Sequence, residues 1–385
     1  MSTRENLDLL DDGEFRQRWR EWIAQHYPST LRNPLKRLTG ADARTWLKAQ
    51  HRDGWRAPGL AREHGGMGLS LRKQLIYQEE LERFGVARPM DMGLRLLAPV
   101  LLRYGTPAQK ALLPRILSCD DVWCQGYSEP GAGSDLANLS TRADLDGAHW
   151  VVTGQKIWTT MASDSNRIFL LVRTSREARR QQGITFLLAN LDTPGIRVRP
   201  IRTLAGDEHF CEVFFDGARI PADGVVGEVG DGWRVGKALL GFERFSHGSP
   251  ELARFALKVL RQTAGALGLE DDAVTREHLA RHACDLADAE ALYESVCETA
   301  LAGGDAEDDF SMLKLFNAEL LQRIADAATE LAGPWGGLMG AGALPGLAQD
   351  LEWLAMVTRP VTIYGGTAQI QRNLIATRTL ALPKD

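Results

Sequence analysis

Three short stretches combine residue types suited to holding a flat polar ligand. Trp123-Cys124-Gln125-Gly126-Tyr127-Ser128-Glu129-Pro130-Gly131-Ala132-Gly133-Ser134-Asp135 brings hydroxyls, a turn and glycines together. Such a loop offers free backbone N–H groups and serine hydroxyls to an anionic or heterocyclic ligand. Gly154-Gln155-Lys156-Ile157-Trp158-Thr159-Thr160 sets a large aromatic beside two hydroxyls. An aromatic can cover one face of a flat ring while a threonine hydrogen-bonds to it. Ile363-Tyr364-Gly365-Gly366-Thr367-Ala368-Gln369-Ile370-Gln371-Arg372-Asn373 reads as a tight turn, then a helix capped by Thr367. The N–H groups at that helix start can hold a ligand oxygen. Taken singly, each stretch also has a plainer reading: a domain connection, an amphipathic strand, a capped helix.

Other chemistries are poorly provided for. Cys119, Cys124, Cys211, Cys284 and Cys297 are odd in number and show no CxxC spacing, which disfavours metal and disulfide frameworks and fits a reducing cytoplasm. His64, His209 and His247 stand isolated, without nucleophile or metal spacing. Lys plus Arg number 45 against 50 Asp plus Glu, a net charge of −5. That balance excludes a strongly basic nucleic-acid binder. Met1–Asp8 has no apolar core, so no secretory signal is expected there. The longest uncharged stretch, 331–349, holds six glycines and two prolines and reads as packed loop and helix, not a membrane span.

These motifs sit on elements whose period changes twice along the 385 residues. Residues 1–120 read as helical: Leu71 to Phe84 places Leu75, Ile76, Leu81 and Phe84 near one face. Leu96 to Tyr104 and Ala108 to Leu117 repeat the pattern around a Gly105-Thr106-Pro107 stop and cap. Between 121 and 230, Trp150 to Val152, Arg167 to Val172, Ile184 to Leu188, Ile196 to Val198 and Cys211 to Phe215 are short β-branched or aromatic runs separated by turn residues. That is the pattern of an antiparallel sheet or barrel. Long helical periods return over 231–385, at 233–263, 273–302 and 309–332. Alternating βα units are absent, which disfavours a doubly wound nucleotide fold.

Taken together, the order and wording of the segments are informative. The SEPGAGSD segment, GQKIWTT, IYGGTAQIQRN and Tyr104-Gly105-Thr106-Pro107-Ala108-Gln109-Lys110 match four signatures, and from about residue 55 to 385 the chain resembles the acyl-CoA dehydrogenase family of flavoproteins. The wording is similar to the large-subunit type of bacterial pathways for dicarboxylic, branched or ring-derived acyl-CoA. The resemblance implies an α+β architecture: an N-terminal all-α domain (1–120), a central antiparallel β-barrel-like domain (121–230) and a C-terminal four-helix bundle (231–385). It implies FAD between the last two. Gln125, Tyr127, Ser128, Gly133 and Ser134 would line the flavin, Trp158 would pack on its ring, and Thr159 and Thr160 would lie beside it. Gly336, Gly337, Thr367 and Gln369 would meet its phosphate and ribityl side. Ser134 and Gly366 would also reach the substrate.

The family's reaction removes the α-proton of an acyl thioester while the β-hydride passes to the flavin. A weakly acidic C–H needs a carboxylate base with a raised pKa, and donors on the carbonyl. In many members the base is a Glu directly after the Tyr of the last motif; here that position is Gly365. A minority branch carries it on the first long helix of the C-terminal domain, where this sequence has Glu243-Arg244 flanked by Leu239, Leu240, Phe242 and Phe245. The resemblance thus implies Glu243 as base, Arg244 beside it, and Gly365 leaving room and offering its N–H to the thioester carbonyl. Glu129 reads as a structural anchor, and Asp135 as a cap.

Two family elements are missing. Gly268 to Val274 lacks the Arg-x-x-Phe-Gly segment, and no Gln precedes Trp335-Gly336-Gly337 in the Gln-x-x-Gly-Gly position. Their loss suggests weaker FAD retention or a partner subunit of different sequence. The leading reading is an FAD-dependent acyl-CoA dehydrogenase passing electrons to an electron-transferring flavoprotein, as a homo-oligomer or as a heteromer with a second such subunit. An oxidase or monooxygenase of the same fold, and a non-catalytic subunit, are the alternatives. No metal, nucleic acid or membrane partner is expected.

Overall fold

The computed structural model describes residues 5–242, 248–304 and 309–383, which divide into two compact units, 1–203 with 208–242, and 204–207 with 243–385. The first unit begins with helices α1 (Asp12–His26), α2 (Gly40–Asp53) and α3 (Leu71–Phe84), α3 matching the predicted span. An aromatic stack forms their core: Trp19, fully buried, lies 4.4 Å from Tyr77, 4.7 Å from Trp55 and 5.3 Å from Trp22 between ring centres. The inward face of α3 differs from the apolar one expected. Ile76 is buried there with Tyr77, Lys73 and Glu80, while Leu75 is half-buried. Charges are tolerated inside because α1 supplies their partners: Asp12 to Lys73 at 2.6 Å, and Arg16 and Arg20 to Glu80. Periodicity cannot register a partner sixty residues away.

A single π-helical turn (Gly93–Leu97) leads into α4 (Ala98–Tyr104), followed by α5 (Pro107–Lys110) and α6 (Leu113–Leu117). Thr106 caps α5 through a reciprocal bond with Gln109, as its Thr-Pro-x-Gln spacing predicts. Gln109 Nε2 also donates to the carbonyls of Asp223 (2.9 Å) and Val225 (2.7 Å), fixing the chain shortly before the next helix.

A two-residue pair, β1 (Arg37–Leu38) with β2 (Arg88–Pro89), stands apart from a curled seven-stranded sheet. The sheet comprises β3 (Trp123–Gly126), β4 (Arg142–Asp146), β5 (His149–Thr160), β6 (Arg167–Arg173), β7 (Ile184–Asn190), β8 (Ile196–Ile201) and β9 (Phe210–Pro221). It runs β3-β6-β4-β5-β9-β8, with β7 on β6. Pairing is mainly antiparallel, but β3 runs parallel to β6 and β4 meets β6 in parallel at one residue. The intervening stretch from 127 to 166 makes the long crossover that parallel pairing requires. Helix α7 (Gly232–Phe242) closes this unit. Its start is pressed onto β7: a Cβ on Gly232 would lie 2.5 Å from the Phe186 nitrogen.

The second unit holds α8 (Glu251–Leu267), α9 (Ala273–Leu301), α10 (Asp309–Leu331), α11 (Leu351–Thr358) and α12 (Ala368–Leu374). The helical period predicted over 233–263 is therefore broken: Gly248, Ser249 and Pro250 are not helical. Pro250 has no N–H and cannot continue a helix, so the next one starts behind it. Among the described residues, no helix is long and apolar enough to cross a membrane, and no His, Cys, Asp or Glu group has metal-site geometry.

Candidate active site

In the first unit the glycine-rich loop is clamped onto β5. Ile157 N–H donates to the Ser128 carbonyl (2.9 Å), and the buried Lys156 ammonium donates to the Tyr127 carbonyl (3.1 Å) and to Glu129 (2.7 Å). Glu129 accepts further bonds from Ser140 N (2.6 Å), Ser140 Oγ (2.8 Å) and Thr141 N (2.9 Å). Burial raises this carboxyl, but Lys156 and the three other donors outweigh it and hold the group down at about 2. Lys156 has fewer partners, so burial prevails and lowers it to about 8 despite Glu129. The anchor role expected of Glu129 is what the structure shows. Asp135 makes no cap bond and pairs with Arg180 at 3.1 Å; that partner, 45 positions on, was invisible in the local sequence.

The loop beyond Glu129 is exposed at Gly131, Gly133 and Ser134. A Cβ on Gly131 or Gly133 would meet nothing within 4 Å, and neither glycine has a left-handed φ. Neither the backbone nor internal packing demands glycine there. Tyr127 buries its ring edge-on against Phe169 and Phe186.

Trp158 departs most from ordinary strand behaviour. The β5–β9 register slips between Lys156 and Thr159, two residues opposing one, and Trp158 takes φ 58°. Such bulges re-aim side chains, and the left-handed conformation costs a non-glycine residue about 1 kcal/mol. The indole emerges 56% exposed, set edge-on to Phe210 at 6.0 Å. Arg37 lies 5.5 Å from the same Phe210 ring. Past the bulge the pairing is regular again, and the strand's alternation turns the two threonines to opposite faces: Thr159 is buried, Thr160 half-buried. Among the described residues, Thr159 Oγ1 and Gln125 Nε2 are buried without a partner. Beside Phe210, burial and then Arg37 press His209 down to about 4, so it is neutral at physiological pH.

In the second unit, Gly365 and Gly366 take φ of 63° and 86° in succession. Both carbonyls are held: Gly365 O accepts from Gln371 Nε2 at 3.0 Å, and Gly366 O from Lys314 Nζ at 2.7 Å. Neither N–H has an acceptor among the described residues. Thr367 caps α12, its Oγ1 accepting from Ile370 N at 3.2 Å, and Gln369 is exposed. Of the other glycine pair, Gly336 has an internal reason, since its Cβ would sit 2.2 Å from the Thr329 carbonyl, while Gly337 faces open space. Glu243, Arg244 and His247 lie outside the described residues. Lys156, Lys314 and Gln371 escaped the sequence reading. Lys156 alone carried a signal, a lysine at an inward position of a strand.

Comparison with known proteins identifies the family. Profiles of the acyl-CoA dehydrogenase N-terminal, middle and C-terminal domains match residues 11–120, 124–218 and 230–380. The chain belongs to the acyl-CoA dehydrogenase family. Members of this family of oxidoreductases bind FAD. The chain is 38% identical to acyl-CoA dehydrogenase IpdE1 of Mycobacterium tuberculosis, covering 98% of this chain and 99% of that one. Among solved structures it is similar to the Tcur3481-Tcur3483 steroid ACAD (TM-score 0.87, 29% identity, 97% and 98% covered). It is also similar to the ChsE4-ChsE5 complex of M. tuberculosis (TM-score 0.80, 32% identity, 97% and 98% covered).

The exposure of Trp158 gives a first test of the site. Trp158→Ala is expected to leave thermal stability of the flavin-free protein within about 2 °C, because a half-exposed ring contributes little packing and the strained φ remains. The same variant should weaken FAD retention about tenfold and shift the flavin absorption bands. Unchanged retention and spectrum would remove Trp158 from the site.

Proposed function

We propose that this chain oxidises a ring-bearing, steroid-derived acyl-CoA thioester to its 2,3-enoyl-CoA, with FAD as cofactor and an electron-transferring flavoprotein as acceptor. The observation that carries the reading is the pairing of a strained, exposed Trp158 with exposed glycines that no internal contact requires. The residues fit a flavin: Trp158 to cover its ring, Thr160 and the unpartnered Thr159 Oγ1 and Gln125 Nε2 for its polar edge, and the 131–134 backbone for its anionic side. Thr367, Gln369 and Gly337 would serve the phosphate and ribityl portion. When bound, FAD supplies the acceptor for the β-hydride.

The remaining chemistry falls to the chain. Glu243 takes the α-proton, with Arg244 next to it in the chain. The free N–H of Gly365 donates to the thioester oxygen as negative charge builds there. Ser134 and Gly366 contact the substrate from the loop and the turn. The steroid-derived substrate class is supported by the likeness to a steroid ACAD.

A heteromer with a second acyl-CoA dehydrogenase subunit is the favoured assembly. It is supported by the missing Arg-x-x-Phe-Gly and Gln elements and by the likeness to the ChsE4-ChsE5 complex. The three proposed domains, 1–120, 121–230 and 231–385, divide the work into substrate enclosure, flavin face and base.

The test is an anaerobic absorbance titration of the purified protein with thioesters of straight, branched and steroid-derived acids. Bleaching of the flavin bands by the ring-bearing class is the expected result. Bleaching by straight chains alone would overturn the substrate class. A flavin that no thioester bleaches would overturn the dehydrogenase assignment for the isolated chain.

A further inference from the structure

We infer that the arginine-bearing turn between β6 and β7 is a phosphate site, and that it grips the 3′-phosphate of coenzyme A in the thioester substrate. The inference deepens the proposed function and rests on it. The two strands pair as far as Arg173 and Ile184, so the connection spans 174–183, beyond the about two to five residues of an ordinary hairpin. That length is stapled down. Thr174 and Ser175 both donate their N–H to the Gly183 carbonyl, at 2.9 and 3.3 Å. Gly183 takes φ 71°, and a Cβ there would lie 2.3 Å from the Ser175 carbonyl, so only glycine closes the turn. Arg173 Nη1 donates to the carbonyls of Arg180 (2.9 Å) and Gln182 (2.7 Å), and its Nη2 to the Ala137 carbonyl (2.8 Å). One guanidinium therefore ties the turn to the segment just beyond Ser134, the loop residue proposed to meet the substrate. Arg180 adds its 3.1 Å pair with Asp135, the residue next to Ser134.

This fixed backbone presents cations that have no internal use. Residues 175–182 are all exposed, and among the described residues Arg176 and Arg179 make no ion pair. Glu177, the acid between them, engages the Ser175 hydroxyl at 2.9 Å. In a chain whose net charge is −5, unpaired guanidinium groups on one turn are a local excess that favours an anion. The planar guanidinium fork matches phosphate oxygens. A coenzyme A thioester carries its phosphate monoester at the end remote from the reacting carbons, and that group bears a charge near −2 at neutral pH. FAD offers phosphate only as a pyrophosphate inside the molecule, with a single charge on each phosphorus. Exposed arginines beside Ser134 therefore suit the coenzyme A end better than the flavin.

The experiment is calorimetric titration of the FAD-loaded protein with a ring-bearing 2,3-enoyl thioester, made once with coenzyme A and once with 3′-dephospho-coenzyme A. The enoyl product needs no turnover, so binding is read apart from dehydrogenation. The wild type should bind the coenzyme A form about 10-fold more tightly, the upper end for two exposed ion pairs, and the preference should shrink in 0.5 M salt. In an Arg176→Ala, Arg179→Ala double variant, affinity for the coenzyme A form should fall about 10-fold while that for the dephospho form changes less than twofold. Lysines at both positions should recover most of the preference. An equal loss for the two thioesters, or a wild type indifferent to the 3′-phosphate, would overturn the inference and leave the dehydrogenase reading standing. Loss of flavin content in the double variant would overturn it in favour of a site for FAD. Failure of both thioesters to bind the wild type would overturn the thioester reading, and this inference with it.

Discussion

Replacing Glu243 by Gln is expected to leave FAD bound and to slow flavin reduction by an acyl-CoA about a thousandfold. The amide matches the carboxylate in size and can still accept a hydrogen bond, so folding and cofactor contacts should survive. It cannot take up a proton at neutral pH. General-base catalysis typically contributes about 10²–10⁴-fold, and the α-C–H of a thioester, a weak acid, sits at the demanding end. Leu239, Leu240, Phe242 and Phe245 flank the position in sequence. Gly365 has no side chain to act in its place. Single-turnover reduction within tenfold of the wild type in a flavin-replete Glu243→Gln sample would end the assignment.

The second large effect concerns the clamp under the glycine loop. Glu129→Ala should destabilise the protein by about 3–5 kcal/mol, because it strands the fully buried Lys156 ammonium without its counter-charge. Three hydrogen bonds from Ser140 and Thr141 are lost at the same time. The cost should shrink markedly in a Lys156→Met background, where no charge is left behind; that coupling is the signature of the pair. Urea unfolding of the FAD-loaded single and double variants measures both numbers. A cost below about 1 kcal/mol, or one unchanged by Lys156→Met, would refute the account. The pH dependence follows in sign. A carboxyl held down at about 2 against an ordinary 4.5 adds stability above pH 4.5, and loses it progressively as the pH falls from there through 2. Acid should therefore release the glycine loop, and FAD with it, and Glu129→Ala should blunt that pH dependence. Identical acid profiles for the two proteins would exclude Glu129 as the titrating group.

How much of this was legible in the sequence varied with the range of the interaction. Thr106 and Thr367 were readable as caps because a capping bond reaches only three residues. The β-runs were readable because their period is local, and strand β5 proved to contain the Trp158 motif whole. The break at Gly248–Pro250 was missed although Pro250 marked it, since the apolar period on both sides looked continuous. The charged inner face of α3 and the Arg180 partner of Asp135 were hidden for another reason. Their partners lie 45 or more positions away, where no spacing rule applies.

By itself the sequence determined the element types, the three motifs and, through their wording, the family. Each of these depends on neighbours within a turn, a strand or a short loop. Only the tertiary structure decided that a bulge turns Trp158 outward while Thr159 stays buried, because that depends on the register of β5 against β9. It alone decided that Lys156 and Glu129 close over one another beneath the loop. Helix α10 could be recognised as the holder of the Gly366 carbonyl only once folding had brought Lys314 across 52 residues to meet it. A buried charge finds its partner by proximity in space, and one-dimensional spacing carries no record of that distance.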